Sequence, residues 1–269
     1  MPLPPLGEGA GREAVLGAWE ILAQANREGS VSRVEGWESS EVRRRGDAGW
    51  RWQAGESEYL YRRTDLVSLR GDRFRSQRGA VNRFRKRVPL RVRPFEEKDL
   101  VPCLQLYTLW GIRLQQAHPE SYPRALVRDG LFFHRRLMMD REKLGLTGRV
   151  LEGEGRVLGY TFGAPLSRRL FCVLLETADR SVPGAAQTLF QEFCRELEGY
   201  SLINAMGDAG IEGLRRAKRA YRPVGFVSTQ ILVELKGFGA SPGSLRSPGC
   251  SVGHPLRGGR DAPPERRLD

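Results

Sequence analysis

The stretch LFCVLLETADRSVPGAAQTLFQEFCRELEGYSLIN, residues 170–204, predicts a strand, a helix and a second strand in direct succession. It opens with a continuous apolar run, and Pro183 stands where the first helical turn accepts proline. Apolar residues then recur at helical spacing, at Leu189, Phe190, Phe193, Cys194 and Leu197. A helix with such a face covers a sheet, so this stretch predicts a strand-helix-strand unit at the centre of the fold.

The segments on either side extend this unit into a larger sheet. The predicted elements, in chain order, are a helix at 12–26, short strands in VSRVEG, WRWQ and EYLYRR, a strand at 90–93, helices near 97–117 and 123–143, strands at 148–152, 156–163 and 170–177, a helix at 184–198, a strand at 201–204, a helix at 209–220 and a strand at 226–235. Helices before a strand meander, followed by alternation, predict the α/β class, as an α+β mixed sheet with helices on both faces. Residues 237–269, rich in Gly, Pro, Ser and Arg, are expected to be a disordered tail.

The 269-residue chain is strongly basic, with 44 Lys and Arg against 32 Asp and Glu, a net charge of +12. Between Arg62 and Arg93 lie eleven Arg and one Lys against two Asp, which amounts to a net +10. In that segment one helical face is apolar, through Phe74, Val81, Phe84 and Val88. Candidate polyanion-binding residues on its other faces are Arg73, Arg75, Arg78 and Arg83. A solvated basic helix and an Arg-rich codon usage are the alternative explanations.

Other classes of protein are disfavoured. No apolar stretch approaches the roughly 20 residues that span a bilayer, and the N terminus lacks a signal-peptide pattern, so we expect a cytoplasmic protein. The four cysteines (103, 172, 194, 250) and three histidines (118, 134, 254) show no metal-ligand spacing. We therefore expect no metal, no disulfide framework and no bound cofactor.

Small residues open the helix of the central unit. Gly184, Ala185 and Ala186 are expected to leave the amides of its first turn uncovered, so that a donor phosphate or a carboxylate reaches the positive end of the helix dipole. Close packing of the helix start is an equal alternative.

A second candidate site lies in INAMGDAGIEGLRRAKRAYRP, residues 203–223. Asp208 is expected to cap the following helix. Lys218 falls within the apolar stripe of that helix, and a buried ammonium must pair with an acid, reach solvent or serve a ligand's negative charge. Asp208 and Glu176 are the first acids to consider as partners.

Three runs together resemble the soluble relatives of the phosphatidylglycerol lysyltransferase C-terminal domain family. They are EYLYRRTDLVSLRGDRFRSQRGAVNRF, the central unit, and DAGIEGLRRAKRAYRPVGF, and the match covers roughly residues 58–235. The most specific parts are the L-x-x-L-x-G approach to the basic helix, the Pro183-Gly184-Ala185 helix start and the string D-x-G-x-x-G-L-R-x-x-K-x-x-Y-x-P.

The resemblance implies two tandem domains of the GCN5-related N-acetyltransferase type. In that fold two central strands part to admit the acyl donor. Fewer than 60 residues precede EYLYRR, so we expect residues 1–89 to be a partial first domain ending in the basic helix, and residues 90–236 to be a complete acyltransferase-like domain. The turn RSVPGAA lacks the Gly-rich pyrophosphate loop of acetyl-coenzyme A users, which favours a bulkier donor.

The function expected from the resemblance is acyl transfer, more narrowly aminoacyl transfer from aminoacyl-tRNA or another acyl donor, to an unidentified amine or hydroxyl. Asp208 or Glu176 would orient or deprotonate the acceptor, and Lys218 and Arg215 would neutralise a phosphate or the oxyanion. The rival hypothesis is a catalytically silent module that binds tRNA or another polyanion. A peripheral protein attracted to anionic lipid is the third.

Overall fold

The computed structural model describes residues 12–25, 33–39, 50–87, 89–117 and 124–235. The expected tail at 237–269 lies outside these ranges, together with Val88, His118 and Cys250.

The described elements follow the predicted order from residue 90 onward. The strands are β1 (Val34–Glu38), β2 (Trp50–Arg62), β3 (Leu90–Pro94), β4 (Thr147–Gly153), β5 (Arg156–Pro165), β6 (Leu170–Ala178), β7 (Leu202–Asn204) and β8 (Gly225–Leu235). The helices are α1 (Arg12–Ala25), α2 (Arg63–Ser68), α3 (Arg75–Arg87), α4 (Leu100–Ala117), α5 (Arg124–Met139), α6 (Ala185–Glu196) and α7 (Glu212–Ala220). Short 3-10 turns, Asp72–Phe74 and Glu97–Asp99, precede α3 and α4. The mixed α/β class is confirmed.

These strands form one eight-stranded sheet in the order β1-β8-β2-β7-β6-β5-β4-β3. Strand β2, which the sequence suggested only as the two short pieces WRWQ and EYLYRR, is a single 13-residue strand between β7 and β8. The sheet therefore includes strands from both sides of the expected boundary at residue 89. That boundary between domains stays a prediction.

Helices cover both faces of the sheet, as the sequence indicated. Val150 packs in a cluster with Cys103 of α4, and its neighbour Leu151 packs in a cluster with Ala185 and Leu189 of α6. Successive strand residues point to opposite faces. Helices α4 and α6 therefore lie on opposite sides of β4.

Strands β6 and β7 pair in parallel over three positions only, from Leu170 to Cys172 on β6. Immediately afterwards β6 forms a bulge against β5, because Gly163 pairs with Val173 and Phe162 pairs with Leu175. From Val173 onward β6 has no pairing with β7. The expected parting of two central strands is thus present, at β6 and β7.

Gly184 lets α3 approach the start of α6. Its φ of +97° is in the left-handed region, and a Cβ there would lie 2.6 Å from the carbonyl oxygen of Ala80 and 2.7 Å from Cβ of Phe84. Only glycine satisfies both the conformation and the contact. The basic helix α3 therefore packs against α6, the helix of the central unit.

We expect Gly184→Ala to destabilise the fold by about 1–3 kcal/mol, because the new methyl group overlaps backbone and side-chain atoms of α3. The loss is measured as a lower midpoint of urea unfolding. Gly155→Ala is the matched control, since Gly155 also has a positive φ, +72°, but has nothing within 4 Å of an added Cβ. Equal losses in the two variants would contradict the packing explanation.

A buried charge network fixes the edge of the sheet to α4. Arg93 donates from Nη1 and Nη2 to the two carboxylate oxygens of Asp99 at 2.6 and 2.8 Å, and from Nε to Glu152 at 2.7 Å. Arg93 and Asp99 are 8% and 3% exposed. Burial alone would raise the pKa of Asp99, but the bonds from Arg93 and from the Glu96 amide outweigh it and lower the pKa.

A lowered folded-state pKa means that Asp99 stabilises the protein above its ordinary pKa, and that this stability is lost as the pH falls through the folded-state pKa. We expect Asp99→Asn to lower the free energy of unfolding by about 3 kcal/mol at neutral pH, because it leaves a buried guanidinium short of a partner. The difference in the free energy of unfolding between Asp99→Asn and the unchanged protein becomes smaller at acid pH, as measured by urea unfolding. Glu142→Gln, at a solvent-exposed pair with Arg141, is the control, with an expected change of about 0–1 kcal/mol. A deficit independent of pH would argue against the ion pair.

Candidate functional site

The gap between β6 and β7 collects polar side chains from several elements. We call it the splay site and define it by Glu58 and Tyr59 of β2, Glu176 of β6, Asp208 after β7, and Lys218 of α7. Because β2 contributes two of the five residues, the site depends on the strand inserted between β7 and β8.

Glu176 follows the bulge of β6 and is accessible to solvent. Protein nevertheless surrounds its carboxyl group, and this burial raises the pKa of Glu176 to about 8, against the opposing effect of the positive charge on Lys218. A carboxyl group that titrates near neutral pH, on a residue that solvent reaches, can accept and return a proton.

Lys218 points inward, as its place in the apolar stripe predicted. Its ammonium donates to the carbonyl oxygens of Ala205 at 2.5 Å, Met206 at 3.3 Å and Gly207, and it lies 5.7 Å from the centroid of the Tyr59 ring. Burial lowers the pKa of Lys218 to about 8, although nearby carboxylates, Glu176 foremost, act to raise it. An ammonium has three hydrogens. Its direct partners are therefore backbone carbonyls of the loop after β7, and its interaction with acids is through space.

Both carboxylate oxygens of Asp208 accept hydrogen bonds. It accepts from the Tyr59 hydroxyl at 2.6 Å, from Nε and Nη2 of Arg215 at 3.1 and 3.4 Å, and from the Gly210 amide at 3.1 Å. Burial alone would raise the pKa of Asp208, but the bonds from Arg215 and Tyr59 outweigh it and lower the pKa. The prediction that Asp208 caps α7 is wrong, because Ile211 precedes the helix and no side chain caps it. Asp208 instead connects β2, the turn and α7.

The two acids named from the sequence therefore differ in chemistry. A general base works best when its pKa lies near the working pH. Glu176 meets that condition, whereas Asp208, held as a carboxylate by three side-chain bonds and one amide, is a weak base. Arg215 is directed at Asp208, which places it in a supporting contact.

The sequence alone did not point to Glu58, Tyr59 or Asn204. Glu58 is 9% exposed and accepts from Nδ2 of Asn204 at 2.6 Å, while Oδ1 of Asn204 accepts from the Met206 amide at 2.7 Å. Burial raises the pKa of Glu58, with the Asn204 bond opposing. The available signal was the acid in EYLYRR, next to two tyrosines that alternate along a strand.

The start of α6 is more covered than expected. Gly184 and Ala185 are buried beneath α3, and Ala186 is exposed. The small residues thus serve close packing at two of the three positions. Their role in holding a donor phosphate stays a prediction.

The four candidate arginines of the basic segment are in different situations. Arg73 pairs with Asp65 at 3.1 Å, and Arg78 donates to two backbone carbonyls of the turn before α3. Arg75 and Arg83 are exposed and make no ion pair with any described residue. Those two are the side chains of the set best placed to meet a polyanion.

Across the described ranges, no group of three or more His, Cys, Asp or Glu side chains is arranged to hold a metal ion. None of the helices in these ranges is long and apolar enough to cross a membrane.

Known proteins resemble this chain in sequence and in fold. The family model "Phosphatidylglycerol lysyltransferase, C-terminal" matches residues 2–232. A conserved protein of unknown function from Bacteroides thetaiotaomicron VPI-5482 superposes with a TM-score of 0.62 at 28% identity, over 82% of this chain and 75% of that chain. L-PGS from Bacillus licheniformis gives a TM-score of 0.54 at 18% identity, over 85% and 75%. A comparison with curated proteins finds no match.

The family match confirms the resemblance seen in the sequence and reaches further toward the N terminus than residue 58. The mixed sheet, in which β6 and β7 pair in parallel over three positions only, agrees with the mixed α/β fold expected from the sequence. Since the match spans most of its length, the chain belongs to the phosphatidylglycerol lysyltransferase C-terminal family.

Proposed function

We propose that this protein transfers an acyl group, more narrowly an aminoacyl group from aminoacyl-tRNA or another acyl donor, to an amine or hydroxyl acceptor. The observation that carries the proposal is Glu176, an exposed residue whose enclosed carboxyl group has a raised pKa, beside the gap between β6 and β7. Family membership and the name of the L-PGS relative support the same chemistry.

The reaction needs one proton acceptor and one route for the proton to leave. The acceptor nitrogen or oxygen attacks the ester carbonyl of the donor, and Glu176 takes the proton that the acceptor loses. When the ester C–O bond breaks, the same carboxyl returns that proton to the departing oxygen of the donor. The new amide or ester bond and the released carrier balance the step.

The other residues of the splay site act around that carboxyl. Lys218 and Asp208 hold the loop of residues 205–208 through the bonds described above, and Arg215 holds Asp208. Lys218 also contributes its positive charge through space, which stabilises both the Glu176 carboxylate and a developing oxyanion. In this scheme Glu176 is the catalytic residue, and Asp208, Lys218 and Arg215 are positioning residues.

Glu176→Gln removes the proton acceptor and keeps the shape of the side chain. The assay measures transfer from a radiolabelled aminoacyl-tRNA pool to a small amine or to a polar lipid extract. We expect kcat/KM to fall about 10²–10⁴-fold in this variant. In the unchanged protein kcat/KM rises with pH as the Glu176 carboxylate forms and falls again as the Lys218 ammonium, whose pKa is also lowered to about 8, loses its charge. The residual rate of the variant lacks the rise. Glu154→Gln, in the exposed β4–β5 turn, is the control. An unchanged rate and profile in Glu176→Gln would exclude this role.

Lys218→Met removes the ammonium that donates to the carbonyls of Ala205 and Gly207, whereas the Met206 carbonyl still accepts from the Tyr59 amide. We expect a loss of about 1–3 kcal/mol in the free energy of unfolding, since two half-buried carbonyls lose their donor. The midpoint of the kcat/KM profile shifts to higher pH as well, because the charge of Lys218 acts to lower the pKa of Glu176. Lys143→Met, at an exposed position, provides the comparison. A profile midpoint that stays in place while stability falls would limit Lys218 to a structural role.

One observation favours the second candidate, a silent module that binds tRNA or another polyanion. The polar atoms of Asp208 and Lys218 form hydrogen bonds within the protein, which is what a purely structural role requires. This alternative predicts no transfer from any charged tRNA or acyl carrier, together with polyanion binding that weakens in Arg75→Gln and Arg83→Gln.

A further inference from the structure

A polar groove of about 310 Å³ lies between the C-terminal end of α2, the length of α3, and α6. It shares no residue with the splay site. Its polar lining comes from seven side chains, Ser68, Arg70, Arg78, Asn82, Arg85, Gln191 and Arg195. Sequence analysis assigned only Arg78 among them to polyanion binding.

The groove carries a surplus of positive charge. Four guanidinium groups line it, and the acid bonded to them is Glu192, which pairs with both Arg85 and Arg195, at 2.7 Å for the latter. Four positive charges against this one negative charge leave a surplus of three. Arg70 is exposed and makes no ion pair with any described residue.

Neighbouring contacts hold most of these side chains in place. Arg78 is fixed by backbone carbonyls, and Arg85 and Arg195 are fixed by their shared carboxylate. Gln191 donates to the Val67 carbonyl at 2.7 Å and accepts from Arg85 at 3.3 Å. Guanidinium groups that are oriented before binding lose less side-chain entropy when they meet an oxyanion, and their fork geometry suits phosphate oxygens.

We propose that this groove binds the phosphodiester backbone of a polynucleotide. The proposal rests on the proposed function, because an RNA-borne acyl donor requires a phosphate-binding surface on the protein. Arg75 and Arg83 lie exposed on the same helix α3 that forms one wall, so positive charge continues beyond the groove. A chain of phosphates uses such an extended surface, whereas a single small anion does not.

The composition of the groove favours a polynucleotide over a membrane surface. Large apolar side chains are exposed elsewhere in the described residues, for example at Val101, Phe132 and Phe226, but none is exposed on α2, α3 or α6. A lipid surface is bound most firmly when apolar anchors accompany the basic residues. The walls of this groove offer charge and hydrogen bonds without such anchors.

The groove is also connected to the helix that carries Lys218. Gln77 of α3 donates to the Ala220 carbonyl at the end of α7 at 3.1 Å, and Val81, which lines the groove, packs in a cluster against which Tyr221 lies. One helix therefore separates bound phosphates from α7.

The test is the affinity of the full chain for a fluorescently labelled RNA hairpin, measured by anisotropy over a series of salt concentrations. For Arg70→Gln/Arg85→Gln we expect about tenfold weaker binding and a salt slope lower by about one for each phosphate that the variant no longer neutralises. Arg168→Gln/Arg169→Gln removes the same charge from the exposed β5–β6 turn and is expected to change the affinity much less. Arg70→Gln alone is the second variant if the double variant does not fold.

Equal losses in the groove variant and the turn variant would overturn the proposal, as would binding of anionic vesicles or of inorganic phosphate without binding of RNA. Glu176→Gln is expected to keep full RNA affinity. If RNA affinity depends on the groove and no transfer occurs, the groove stands and the proposed reaction fails. If transfer occurs and the groove variant keeps its affinity for RNA, the groove fails and the reaction stands.

Discussion

The splay site depends on the hydrogen bonds that the Lys218 ammonium donates to the carbonyl oxygens of residues 205–207. Strand β7 ends at Asn204, and the chain then leaves the line along which it would continue to pair with β6. Met206 has a φ of +59°, which a residue with a side chain adopts only at a cost in conformational energy. A half-buried ammonium that donates to three carbonyls stabilises that path. The gap between β6 and β7 stays open because the loop that borders it is held elsewhere.

The same ammonium sets the electrostatics of the gap. Burial alone pushes the pKa of the Glu176 carboxyl upward, and the positive charge of Lys218 limits the rise, so that the group titrates near pH 8. The Tyr59, Asp208 and Arg215 bonds add a second support, which connects β2 to α7 from the other side of the loop. Shape and acid-base chemistry at this site are therefore two consequences of one set of contacts.

Much of the fold was accessible from the sequence because its signals are local. The apolar face of α6, the antiparallel meander from β4 to β6 and the inward position of Lys218 follow from the spacing of residues. The insertion of β2 between β7 and β8 did not follow, because pairing between strands so distant in the chain leaves no local pattern. The bulge at Val173–Leu175 could not be predicted either. An uninterrupted apolar run has no alternating pattern in which an extra residue would show. Because the position of β2 in the sheet was not predicted, Glu58 and Tyr59 could not be assigned to the splay site.

The acid-base state of Glu176, on which the proposed reaction depends, can be observed without any substrate. Carbon-13 NMR of protein labelled at glutamate side-chain carboxyls, titrated over pH and assigned through the loss of one resonance in Glu176→Gln, reports this pKa directly. The account predicts a resonance that titrates near pH 8. A Glu176 resonance that titrates at the ordinary value of 4.5 would contradict it.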